Sequence, residues 1–170
     1  RPFDKFIIGF TLEGFRTNLK NAFFLQPNGS DAFGLLFEKQ NGQGARVQGL
    51  TFELRGNYSR KVQLESGYTI QTNEFQNPVE YIEGVEPIKR FIRTPNDYGF
   101  AVFTINPTEH FSLNLNYVYT GRMLVPHFAG APNQTTDEIV DVDSFSNLSF
   151  RFSYAMAVSY THLTLPTNKA

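Results

Sequence analysis

Cysteine and tryptophan are absent from the 170 residues, no apolar run approaches the length of a membrane-spanning helix, and neither sign of charge prevails. Each absence removes a class. Without cysteine there is no disulfide framework and no thiolate metal site. Without a stretch of roughly 20 apolar residues there is no helical membrane span. With 15 basic against 16 acidic residues, net charge −1, nothing electrostatic calls for a nucleic-acid partner. The chain opens on RPFDKF, with no starting Met, basic n-region or apolar h-region, and so reads as an internal fragment.

What is present is aromatic and alternating. The chain holds 18 Phe and 8 Tyr, placed mainly in segments of period two, the repeat of a strand whose successive side chains point to opposite faces. In HFSLNLNYVYTG, residues 110–121, Phe111, Leu113, Leu115, Tyr117 and Tyr119 share one parity against Ser112, Asn114, Asn116 and Thr120. The same split separates Phe6, Ile8, Phe10 and Leu12 from Gly9, Thr11 and Glu13, and Leu50, Phe52, Leu54 and Tyr58 from Thr51, Glu53, Arg55 and Asn57. Val62, Leu64, Tyr68 and Ile70 repeat it, as do Leu148, Phe150, Phe152 and Tyr154. In YGFAVFTIN, 98–106, the pattern blurs, because Phe103 and Ile105 put apolar groups on its second face as well.

The connections also alternate. Turns near Arg60 and Thr108 are short, whereas the linkers from about Thr72 to Asp97 and from about Gly121 to Asp143 far exceed the usual 2 to 6 residues. The expectation is an all-β chain: an antiparallel β-meander with those turns at one end, loops around Val85 and Pro132 at the other, and open edges because roughly six strands cannot close a barrel. A soluble β-sandwich makes similar half-polar strands. The polar faces, carrying Glu53, Arg55, Glu65, Gln71, Asn114 and Arg151, and the aromatic residues at strand ends favour a partial transmembrane β-barrel with a wet interior.

No catalytic, cofactor-binding or metal-ligating set emerges, and the chain reads as no enzyme. GQGARVQG, 42–49, precedes a strand where a phosphate-binding glycine loop must open a helix. His110, His127 and His162 are scattered, and Asp137, Glu138, Asp141 and Asp143 lack the ordered spacing of a calcium loop.

The stretch ARVQGLTFELRGNYSRKVQLESGYTIQ, 45–71, with Gly49 and Glu53 near a strand start, resembles the late barrel strands of TonB-dependent outer-membrane receptors. So does RTPNDYGFAVFTINPTEHFSLNLNYVYTGRMLVPHFAG, 93–130, with its Thr-Pro start and its Tyr-Thr-Gly end. The resemblance covers residues 1–155 as an incomplete C-terminal barrel region. It implies a location in the outer membrane against its lipid, a barrel of about 22 strands, and energy-coupled uptake of a scarce nutrient such as a siderophore, cobalamin or a glycan. The TonB system would act through an N-terminal plug region that is missing here. A passive porin is the alternative reading. Asp97 stands where the family often has His, and the chain ends TNKA where the family usually ends on an aromatic residue. The tail, 156–170, contains SYTHLTLPTNKA, which resembles translated sequencing-adapter read-through and reads as non-native. Ligand-binding residues are unknown from sequence. Contact candidates lie in the long loops: Tyr81, Lys89, Arg90 and Arg93, then Met123, Pro126, His127 and Phe128.

Overall fold

A computed structural model describes residues 6–59, 61–130 and 133–156. Eleven strands are described, in chain order β1 (Phe6–Leu19), β2 (Phe23–Asp31), β3 (Gly34–Asn41), β4 (Ala45–Tyr58), β5 (Val62–Val79), β6 (Ile88–Arg90), β7 (Asp97–Thr108), β8 (Phe111–Thr120), β9 (Met123–His127), β10 (Glu138–Val142) and β11 (Phe145–Tyr154). The main sheet runs β1-β4-β5-β7-β8-β11, with the short β6 on β5, while β2-β3 and β9-β10 are separate two-stranded ribbons. Every pairing between strands is antiparallel. The meander is open, with β1 and β11 as its edges among the described residues.

Register carries the parity of the sequence across the whole sheet, because residues directly opposite one another share a face. One face reads, from β1 to β11, Phe6–Tyr58–Val62–Ile105–Leu113–Phe152, then Ile8–Gly56–Leu64–Phe103–Leu115–Phe150. The next rows are Phe10–Leu54–Ser66–Ala101–Tyr117–Leu148 and Leu12–Phe52–Tyr68–Gly99–Tyr119–Ser146. No charged residue occurs in these four rows. The face changes character further along, at Arg16–Gln48–Thr72 and Asn18–Arg46–Glu74. Phe103 and Ile105 therefore belong to the apolar wall, and Tyr98, Phe100, Val102 and Thr104 of β7 point to the other side.

That other side is mixed and mostly polar. Arg55 pairs with Glu53 at 3.1 Å and Glu65 at 3.4 Å, Thr51 and Thr69 share a hydroxyl hydrogen bond of 2.9 Å, and Asn114 Nδ2 donates to Thr104 Oγ1 at 2.8 Å. Two aromatic rings fill glycine positions on it: Phe15 lies over Gly49 and Phe100 over Gly67, each where a Cβ would collide with the ring. The Gly49 of the sequence signature is thus a seat for a neighbouring ring.

The two short turns lie side by side. Lys61 N–H closes the β4–β5 turn on the Tyr58 carbonyl at 2.9 Å, and Asn106 N–H donates across to the Lys61 carbonyl at 2.7 Å. Arg60 itself lies outside the described residues, as do Pro132 and the tail from 157. Pro107, which has no N–H to give, sits in the irregularity between Ile105 and Thr108. All long connections leave the opposite end. They are more structured than the sequence suggests: β5 continues to Val79, shortening its loop to 80–96, the 121–144 excursion contains the β9–β10 ribbon, and the β1–β4 connection contains β2–β3.

Candidate functional site

At the long-loop end the polar face of the sheet carries a small core of Ala22, Ala45, Phe75 and Val79, against which Tyr81 and Phe91 pack. The loop after β5 is responsible. It turns inward over its own strand: Phe91 stacks on Phe75 with ring centres 4.5 Å apart, and the Tyr81 hydroxyl donates to the Arg90 carbonyl at 3.2 Å. Burial pushes the Tyr81 hydroxyl above its ordinary pKa, so it remains a neutral donor. Gln71 holds the returning end, its side-chain amide donating to the Pro95 carbonyl at 3.0 Å and its N–H to the Asn96 carbonyl at 2.7 Å. Under this loop Asn73 is 2 % exposed, and neither its Nδ2 nor its Oδ1 has a partner.

The loop also ties to the next excursion. Ile92 bridges Leu124, and Arg93 N–H donates to the Leu124 carbonyl at 2.6 Å. Arg93 holds a left-handed backbone, φ 55°, uncommon for a side chain of its size. Between these parts opens a cavity of about 780 Å³, within the range of small-molecule sites. Leu19, Ala22, Phe23 and Leu25 form one wall with Phe37 of β3; Phe75 and Tyr81 lie at the base; Phe91 to Thr94 form the second wall, and Pro126 and Phe128 the third. The rim is apolar and exposed at Phe23, Leu25, Phe37 and Phe128.

Of the sequence candidates, Tyr81, Arg93, Pro126 and Phe128 meet in this cavity, while Lys89, Arg90, Met123 and His127 do not line it. The first wall was not anticipated. Its signal was the apolar run Ala22–Leu25, an unexpected concentration of apolar groups in a long connection. GQGARVQG does lead into a strand, and Gln43 in it continues the β4–β5 ladder, its side-chain amide exchanging two 2.6 Å hydrogen bonds with the Asn77 backbone. Two acidic residues of the last excursion have local partners: Asp137 accepts the Ala129 N–H at 2.6 Å, and Asp143 pairs with Arg122 at 2.7 Å. No metal-holding group occurs among the described residues.

Asp97, at the position where the family resemblance leads one to expect His, joins three strands. It accepts the Tyr68 hydroxyl at 2.6 Å, its carbonyl accepts the Gly121 N–H at 2.8 Å, and its carboxylate fills the space a Cβ on Gly121 would need. The Tyr68 ring covers Gly99 and stacks on Tyr119, 6.3 Å between centres. The Tyr-Thr-Gly end of β8 is thus a closure made with the start of β7.

The soluble sandwich requires a second sheet on the apolar face, and none covers it among the described residues: Phe10 and Phe150 are each 76 % exposed. No helix among the described residues is long and apolar enough to cross a membrane. No curated protein matches the sequence. Among solved structures, the crystal structure of the siderophore receptor PirA from Acinetobacter baumannii has a similar fold, with a TM-score of 0.61 and 16 % identity over 89 % of this chain. The chain spans 24 % of the length of that receptor. The family described as TonB dependent receptor-like, beta-barrel, matches residues 2–167. Nearly the whole sequence is thereby accounted for, and the chain belongs to the TonB-dependent receptor β-barrel family.

Proposed function

We propose that this chain forms part of the wall and mouth of an outer-membrane receptor that takes up a scarce nutrient complex, of the siderophore, cobalamin or glycan kind, with energy supplied by the TonB system. The observation that carries the reading is the charge-free face. From the row of Phe6 to that of Leu12 it extends about 20 Å along the strand, or roughly 15 Å once strands tilt by about 40°, and the next row, Gly14–Leu50–Ile70, ends on Asp97. Those rows make up the greater part of the roughly 25 Å apolar band of outer-membrane barrels. Aromatic contacts mark its margins: Phe6 with Tyr58 and Phe111 with Phe152 at the turn end, Tyr68 with Tyr119 at the loop end. In this reading the polar face lines the lumen, and the ribbons and the inward loop stand at the outer mouth.

The test is genetic and physiological. A strain lacking the intact receptor should lose growth on one nutrient from a panel of ferric siderophores, cobalamin and glycans, and a strain lacking TonB should show the same loss. Uptake that persists without TonB would make the protein a passive pore instead.

A further inference from the structure

The mouth cavity has a composition that narrows its ligand. Its walls are aliphatic and aromatic, and its polar groups are few: Asn21, Thr94, Arg93 and the Tyr81 hydroxyl, the last already given to the Arg90 carbonyl. A hydroxyl-rich ligand would leave many of its own groups unpaired against Leu19, Leu25, Ile92 and Pro126, and each such group costs free energy. Within this apolar lining Arg93 is the single cation, and it makes no ion pair among the described residues. Its left-handed backbone, fixed by the 2.6 Å bond to Leu124, is the kind of local strain that tends to collect at ligand-holding positions. At the rim Lys39 Nζ lies 4.6 Å over the Phe23 ring, adding positive potential on the same side.

We infer that this cavity takes the apolar, ring-bearing part of an amphipathic anion, whose carboxylate or comparable acidic group meets the Arg93 guanidinium. The inference rests on the receptor reading and narrows it away from neutral glycans. The ring enters between Phe91 and Phe128, and the exposed rim at Phe23 and Phe37 loses water on binding. Arg93 supplies charge-assisted hydrogen bonds, which are stronger than neutral ones in such surroundings.

Equilibrium dialysis on the complete receptor in lipid nanodiscs, with empty nanodiscs subtracted, tests this with 2-naphthoate, its neutral counterpart 2-naphthalenemethanol, and maltohexaose. The expected order is naphthoate above the alcohol by roughly tenfold or more, with the oligosaccharide weakest. Arg93→Asn, which tolerates the left-handed backbone, should reduce naphthoate to the affinity of the alcohol and leave the alcohol unchanged. Arg93→Lys should retain the preference for the anion, and Phe128→Ser should weaken both aromatic probes alike. A naphthoate preference undiminished in Arg93→Asn, or maltohexaose bound more tightly than naphthoate, overturns the inference. The receptor reading is measured apart, through the TonB requirement of uptake: if that requirement holds while Arg93→Asn changes nothing, the ligand class alone is wrong, and if it fails both readings fall.

Discussion

Two apolar surfaces of this chain are built from the same residue types and are unlike in every other respect. The wall of the sheet is broad and regular, with Phe10, Leu12, Leu148 and Phe150 exposed on a face whose four central rows hold no charge. The mouth cavity is concave and irregular, with Arg93 among its rings, a left-handed backbone at that residue, and a loop folded across its own strand. A fluid solvent of hydrocarbon asks only for apolar area without charge. A particular molecule asks for shape and for a partner to its polar group. Exposure alone does not distinguish the two; curvature and the placement of one cation do.

Five substitutions break or sharpen this contrast, each read as unfolding free energy of the complete receptor in lipid. The largest effect belongs to the wall. Leu115→Arg, in the row Leu64–Phe103–Leu115–Phe150, should destabilise by roughly 2–4 kcal/mol near the bilayer midplane. Asn114→Lys, one residue away on the wet face, should stay within about 0.5 kcal/mol. Next comes Gly121→Ala, whose methyl has no room beside Asp97; overpacking of this kind costs about 1–3 kcal/mol. Tyr68→Phe removes the 2.6 Å bond to Asp97 and should cost about 1.5 kcal/mol, the lower end for a bond to a charged acceptor. The last change is a gain. Asn73→Leu replaces a buried amide without partners by an apolar group of similar size, and should stabilise by about 1 kcal/mol. A loss there would mean that the amide is satisfied in the intact receptor.

The wall was legible in the sequence because a strand writes its two faces at a period of two, a purely local signal. The antiparallel register then aligned Leu54 with Ser66 and Ala101 with Tyr117 without altering any residue's face. Only β7 resisted, since Phe100 and Val102 are apolar on the inner side; Phe100 is there to cover Gly67, a pairing between strands that no single segment displays. The arrangement of the ends was legible from connection length, and the bond from Asn106 to Lys61 shows the two turns adjacent. The cavity was only half legible. Tyr81, Arg93, Pro126 and Phe128 could be named from loop chemistry, but what unites them is the inward fold of 80–96, governed by Phe91 on Phe75 and by Gln71 on Pro95. Those contacts join residues far apart in the chain. The β2–β3 ribbon went unread for a related reason: its register shifts between Pro27 and Ser30, which interrupts the alternation by which a strand is recognised.

The central claim, that one face of this sheet meets lipid and the other water, is tested most directly by spin labels placed singly at residues 113 to 117 of the intact receptor in bilayers. Labels at 113, 115 and 117 should relax strongly with molecular oxygen, which concentrates in the membrane, and weakly with a water-soluble nickel chelate. Labels at 114 and 116 should show the reverse. Equal protection of 113, 115 and 117 from both agents would place those residues in a protein core and contradict the account.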